Sequence, residues 1–441
     1  MISDRDSHQL GVWMTSAIVV GSMIGSGIFL LPVSLAPLGI NAVVGWVVSG
    51  FGALAIAYSL ARLAHGGAGI QAYIEEAFGP TIGYLVTFSF WCSNWAANAA
   101  LAIATASAIA WLNPKLNTTT FIVPVAAASV VILALVNSRG ARTAGGLSVI
   151  TVLIKILPLL AVIAAVVLRG SGGESAGALA AMPFGLAGLG SAVALTLFAL
   201  TGFENATTLV NKVRDPARTI PLSLVGGTFF VVLLYLVSST CVLLLLNEAE
   251  ITASASPFAD AVGRYWGGGI ALIAIGAIAV SAFGGLNGMI LATGELGYSM
   301  ALRGDLPRIF ASTRGANTPV ASQWLGSGLA ILLILANGSR STAGLFTFVI
   351  LLSTVSVLVV YFVGSLAAWK HSRRAERPII VVALGFSIFA LWGSGAEANA
   401  WGLVLLATGY VLRLVMRRLN SRASTSPAAE ASPAAPPGST A

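Results

Sequence analysis

The chain has 441 residues, of which 57% are hydrophobic and only 9% charged, with a mean hydropathy of +0.91, against roughly 25% charged in an average soluble domain. That composition excludes a soluble enzyme or binding module and points to an all-α polytopic membrane protein. The net charge of +8 is no nucleic-acid footprint, because the basic residues cluster at the edges of apolar segments rather than on one face.

Apolar runs long enough to cross the hydrocarbon, which takes about 20 residues in a helix, recur nearly end to end. About twelve are predicted, near 12–37, 40–62, 84–111, 120–137, 147–168, 187–211, 222–246, 268–301, 321–336, 344–369, 378–395 and 398–416. The first lacks a small-residue cleavage site and is expected to stay as segment 1 rather than be removed as a signal peptide. Residues 1–11 then form a short N-terminus, 12–418 one twelve-helix domain, and 419–441 an Ala/Pro/Ser-rich tail with no apolar face to bury, expected to be disordered. With the N-terminus inside, about eighteen lysines and arginines fall on the cytoplasmic side, against Lys115, Arg169, Arg264 and Arg340 outside. The bias predicts both termini cytoplasmic and a cell (plasma or inner) membrane location.

Few residues are available for covalent or metal chemistry. His8, His65 and His371 lie beside or before the apolar segments, while Cys92 and Cys241 lie far apart within them, so neither set makes a metal site or a disulfide framework. No His-Glu-x-x-His pair and no nucleophile with a histidine at membrane depth is present, which argues against a membrane-embedded enzyme and against any cofactor.

Segment 1 carries Gly21-Ser22-Met23-Ile24-Gly25-Ser26-Gly27 at mid-membrane depth. Each glycine costs a helix about 1 kcal/mol relative to alanine. Close helix packing through Gly21 and Gly25 is one explanation, and a helix break is the other. Segment 6 carries Thr201-Gly202-Phe203-Glu204-Asn205 inside another apolar span. Interrupted segments five apart are the mark of a five-plus-five inverted repeat whose broken helices 1 and 6 meet at a midplane site. Amides freed at a half-helix N-terminus suit a carboxylate and carbonyls freed at a C-terminus suit an ammonium, and an α-amino acid has both.

Gly25-Ser26-Gly27-Ile28-Phe29-Leu30-Leu31-Pro32, the Phe-Ala-x-x-Gly-Phe-Glu pattern at Phe198–Glu204, and Asp215-Pro216-Ala217-Arg218-Thr219-Ile220-Pro221 resemble the amino acid–polyamine–organocation superfamily. Ser254–Phe258, Gly304–Pro307 with Thr318–Val320, and Gly393–Ala396 resemble its bacterial arginine/agmatine antiporter branch most closely. The resemblance, covering Leu10 to Arg418, implies a secondary-active carrier working by alternating access. It places the substrate carboxylate on Ser26 and Gly27 with Ser22 nearby, and the amine at carbonyls around Phe198, Ala199 and Thr201. It also assigns Asn98 and Leu101 to substrate contact, although Asn98 read alone is interhelical hydrogen-bonding glue. Phe198 matches an aromatic gate, and Tyr361 a gating tyrosine.

Three positions, Phe198, Met289 and Lys155, depart from the branch. The gate is a tryptophan in the antiporters, and a second tryptophan stands there where this chain has Met289. Losing both indoles removes stacking partners for a guanidinium, worth about 2 kcal/mol when desolvated, while Met289 offers either an adaptable pocket wall or ordinary packing. Lys155, deep in segment 5, resembles the tethered cation of neutral amino acid carriers that braces segment 1 against segment 8. Glu204 matches a glutamate tied to proton sensing, its plainer reading being a cap on the broken helix; Asn287, Glu295 and Tyr361 read equally well as structural hydrogen-bonding residues. Exchange of a small neutral amino acid, with proton influence, is therefore expected first. An arginine/agmatine or other basic amine antiporter is the alternative, and a transport-derived nutrient sensor or a channel the rival from another class. The partners implied are a small amino acid or amine, the lipid bilayer and protons, and by resemblance alone a homodimer.

Overall fold

The computed structural model describes residues 11–25, 27–63, 69–139, 148–169, 178–204, 213, 215–314 and 318–424. Among these the chain is helical, and its helices in order are α1 (Val12–Met23), α2 (Gly27–Leu35), α3 (Ile40–Leu63), α4 (Gly69–Phe78), α5 (Pro80–Ala110), α6 (Thr119–Ser138), α7 (Ser148–Arg169), α8 (Leu186–Leu200), α9 (Pro216–Leu245), α10 (Glu248–Ala253), α11 (Pro257–Trp266), α12 (Gly268–Leu302), α13 (Val320–Ala336), α14 (Thr342–Lys370), α15 (Arg377–Gly393) and α16 (Gly395–Ser424). The expected twelve segments reappear as α1 with α2, then α3, α5, α6, α7, α8, α9, α12, α13, α14, α15 and α16. Six of these helices are long and apolar enough to span by themselves, and α1 with α2 forms a seventh span bent by 47°. Four shorter apolar helices lie within α7, α8, α13 and α15.

The remaining span, α5, is more polar than the others for a physical reason. Nearly every residue from Gly83 to Ala110 is buried by protein, so its serines, threonines, asparagines and tryptophans never meet lipid. Ser89 Oγ donates to the Ser356 carbonyl of α14 at 2.7 Å, Ser93 and Ser353 hydroxyls lie 3.1 Å apart, and Trp91 Nε1 donates to the Thr293 carbonyl of α12 at 3.2 Å. With lipid as apolar as the side chains, such bonds and close small-residue packing hold the bundle. The same holds between α3 and α8, where the Ser49 and Thr196 hydroxyls are 2.7 Å apart and Gly45 leaves no room for a Cβ against Ala192.

Two departures from the sequence-based expectation have local causes. Helix α8 of segment 6 ends at Leu200, because Thr201 is extended (φ −70°, ψ 161°) and Gly202 takes φ +110°; residues 205–211 of the expected segment lie outside the described residues. Helix α16 runs on to Ser424, past the point where the tail was expected to begin. Helices α4, α10 and α11 fall outside the twelve spans. Helix α10 opens with a reciprocal cap between Asn247 and Glu250. The Arg264 guanidinium of α11 bonds Glu250 and holds its carboxyl below the usual carboxylate range.

Candidate functional site

A cavity of about 590 Å³ opens between α1, α5, α6, α7, α8 and α12, a size suited to a small solute. It lies where the chain breaks twice. At the first break, Ile24 leaves helical geometry (φ −74°, ψ 82°), and Gly27 begins α2 with the Phe198 ring pressed so close that a Cβ there would sit 2.7 Å from Cε1. At the second, a Cβ on Gly202 would sit 2.7 Å from the Ser22 carbonyl oxygen. Ser22 Oγ lies 2.9 Å from the Gly202 carbonyl and 2.8 Å from that of Val19, tying the two breaks together.

The polar groups around the breaks are specific. The Glu204 carboxylate accepts the Gly202 amide on both oxygens, at 3.1 and 3.0 Å, and takes the Tyr361 hydroxyl on Oε2 at 2.9 Å. Phe203 stacks on Tyr361, with ring centroids 5.4 Å apart. Thr201 Oγ1 donates to the Phe198 carbonyl at 2.7 Å. On the opposite side, the Tyr235 hydroxyl of α9 donates to the Met23 carbonyl at 3.0 Å, and Lys155 Nζ donates to the Gly21 carbonyl at 3.3 Å. Lys155 is the only charged side chain on the described cavity wall, and it is 8% exposed. The described wall is thus built from two interrupted helices and carries one buried cation.

The family model for amino acid permeases matches residues 10–416. The chain belongs to the amino acid permease family. It is 26% identical over 432 residues to the putrescine transporter PotE of Escherichia coli K12, covering 93% of this chain and 97% of the relative. The putrescine transporter PotE of Haemophilus influenzae is also 26% identical, over 92% of this chain and 96% of its own. The cadaverine/lysine antiporter of E. coli K12 is 28% identical over 353 residues, 76% of this chain and 78% of that one. The superfamily resemblance and its amine-antiporter leaning therefore hold, and this permease is an integral membrane transporter and not an enzyme.

Of the site residues expected from the sequence, Ser22, Gly27, Leu101, Lys155, Phe198, Ala199, Thr201 and Met289 line the cavity. Ser26 lies outside the described residues. Asn98 is not among the residues lining the cavity: fully buried, it donates from Nδ2 to Thr293 Oγ1 at 3.1 Å, and its Oδ1 has no hydrogen-bond partner among the described residues. Glu204 and Tyr361 also stand behind the wall, where Glu204 makes the contacts of a helix cap. Lys155 meets segment 1 through Gly21, but makes no bond to α12 among the described residues.

Sequence reasoning missed one side of the chamber. Leu133, Val136 and Asn137 of α6 and Phe283, Gly284, Gly285 and Gly288 of α12 line it, with Asn137 Nδ2 donating to Asn287 Oδ1 at 2.8 Å. The signal was present in Gly284-Gly285-x-x-Gly288, which recurs on one helix face and clears space beside a cavity instead of a packing seam: a Cβ at Gly284 or Gly288 would meet nothing within 4 Å.

Proposed function

We propose that this permease is a secondary-active carrier that exchanges small amine-bearing solutes by alternating access through the cavity. The observation that carries the proposal is the placement of an approximately 590 Å³ chamber against both helix breaks, where backbone groups are released from helical bonding. The Phe198 carbonyl already accepts from the amide and hydroxyl of Thr201, which leaves Ala199, a cavity-lining residue at the end of α8, as the helix-end carbonyl for an ammonium. The amide at Gly27 begins α2 and suits a substrate carboxylate. Phe198, packed on Gly27 between the breaks, is the gate in this reading. Lysine and arginine bias supports both termini on the cytoplasmic side.

On the cargo, the relatives named for putrescine, cadaverine and lysine favour a basic amine, and that reading stands first, reversing the order expected from sequence. A specific observation supports the second reading, a neutral amino acid. The described wall carries Lys155 and no carboxylate, so a dication entering it gains no opposite charge there, whereas a zwitterion presents a carboxylate to the cation. Counterflow in proteoliposomes preloaded with putrescine, lysine or an amino acid mixture separates them. Accumulation of labelled putrescine, cadaverine or arginine with alanine, leucine and methionine silent establishes the amine exchanger. The reverse pattern establishes the neutral one. Binding without counterflow of any label would replace the carrier with a sensor, and an uncoupled ionic current would replace it with a channel.

A further inference from the structure

The face of α12 that lines the cavity continues past it. Gly284, Gly288, Leu291 and Ala292 form one stripe at helical spacing along the wall, and the next position on that stripe is Glu295. It is exposed and has no ion pair among the described residues, whose salt bridges engage other carboxylates. A helical side chain leans toward the N-terminus of its helix, which brings the Glu295 carboxylate back over the turn holding Leu291 and Ala292. The rise from Ala292 is about 4.5 Å. Glu295 also lies about 40 Å along α12 from Gly268, beyond the ~30 Å hydrocarbon thickness, so its charge stands at the water boundary, where an ionised carboxylate is tolerated.

We infer that Glu295 is a cation-recruiting site at the mouth of the cavity, on the side of the α12 C-terminus. Its chemistry selects ammonium-bearing solutes. Lys155 makes the described chamber wall positive, and Glu295 sets the opposite sign at the entrance, raising the local concentration of amines over anions before they reach the helix breaks. The inference rests on the cavity being the transport site and explains how a cationic substrate enters a chamber whose described wall has no carboxylate.

The test reads the field at the mouth independently of what is carried. A cysteine at Ala292 (Ala292→Cys), with the buried Cys92 and Cys241 left in place, is modified by a cationic and an anionic methanethiosulfonate of similar size, with Glu295 and with Glu295→Gln. The ratio of cationic to anionic rate is expected to fall by about threefold to tenfold in Glu295→Gln, the scale of one unit charge acting across a helical turn in a mixed dielectric. Glu295→Asp should keep most of the ratio, and high salt should compress the difference. Leu291→Cys repeats the reading from the neighbouring wall position. An unchanged ratio at both cysteines overturns the inference. In counterflow, the same Glu295→Gln variant should raise the KM for putrescine and leave that for alanine unmoved; an equal rise for both would also overturn it. A fall in the modification ratio in a protein that carries no diamine leaves the mouth site standing and removes the basic-amine reading instead.

Discussion

The two helix breaks are stabilised with a different balance of local and distant bonds. The break after α8 is closed mainly by its own neighbourhood in sequence: Thr201 occupies the Phe198 carbonyl and Glu204 the Gly202 amide, while Tyr361 and Ser22 arrive from elsewhere. The break between α1 and α2 has one local bond across it, from the Gly25 amide to the Met23 carbonyl, and is braced further from distant helices, by Tyr235 on the same carbonyl and by Lys155 on that of Gly21. A break that satisfies itself is a rigid jaw, because its bonds persist however the neighbouring helices shift. A break whose partners sit on other helices changes its bonding when those helices move. If the proposed carrier works through this cavity, the segment 1 break is the side expected to respond to cargo, and the α8 break the side expected to present the more fixed surface.

The largest effect should come from the rigid jaw. Gly202→Ala must place a Cβ at φ +110° and 2.7 Å from the Ser22 carbonyl oxygen, a strain of about 2 kcal/mol before any repacking, and both counterflow and detergent-solubilised thermal stability should collapse. Wild-type transport in that variant would break the comparison. Gly27→Ala tests the responsive side. The nearest contacts of its added Cβ are all atoms of the Phe198 ring, so counterflow should fall about tenfold, equivalent to about 1.4 kcal/mol on the barrier, with folding retained. Gly27→Ala with Phe198→Leu should recover most of that loss, since the clashing Cε1 is gone. The smallest effect is expected for Tyr361→Phe, which removes one of the donors to Glu204 and should cost about 1 kcal/mol in thermal unfolding. The Gly202 amide still holds the carboxylate in that variant, so a loss as severe as that of Gly202→Ala would show that the α8 break is not self-sufficient.

The fold was legible because bilayer physics leaves few options: a long apolar run with paired backbone is a helix, and the glycines of segment 1 had no better explanation than a break once segment 6 showed another. The cavity was half legible. Gly27, Phe198 and Thr201 announce themselves by interrupting or flanking an interrupted helix, and Lys155 by being charged at membrane depth. Asn98 stayed ambiguous because an amide in an apolar helix serves a pocket or a neighbouring helix with the same letter; its Nδ2 bonds Thr293 at 3.1 Å while its Oδ1 has no hydrogen-bond partner among the described residues. The α6 wall escaped because Leu133 and Val136 are apolar residues in an apolar span, and nothing in such a residue says whether it faces lipid, protein or an empty chamber.

The hydrogen bond from Tyr235 to the Met23 carbonyl spans 212 positions in the chain, which gives it a meaning for biogenesis. Segment 1 leaves the ribosome before α9 exists, so through that interval the Met23 carbonyl keeps only its local bond from the Gly25 amide, at 2.8 Å, and lacks the second donor that Tyr235 supplies. The bracing of the segment 1 break is thus completed only once α9 is made, and a chain truncated before α9 would lack the Tyr235 bond to α1.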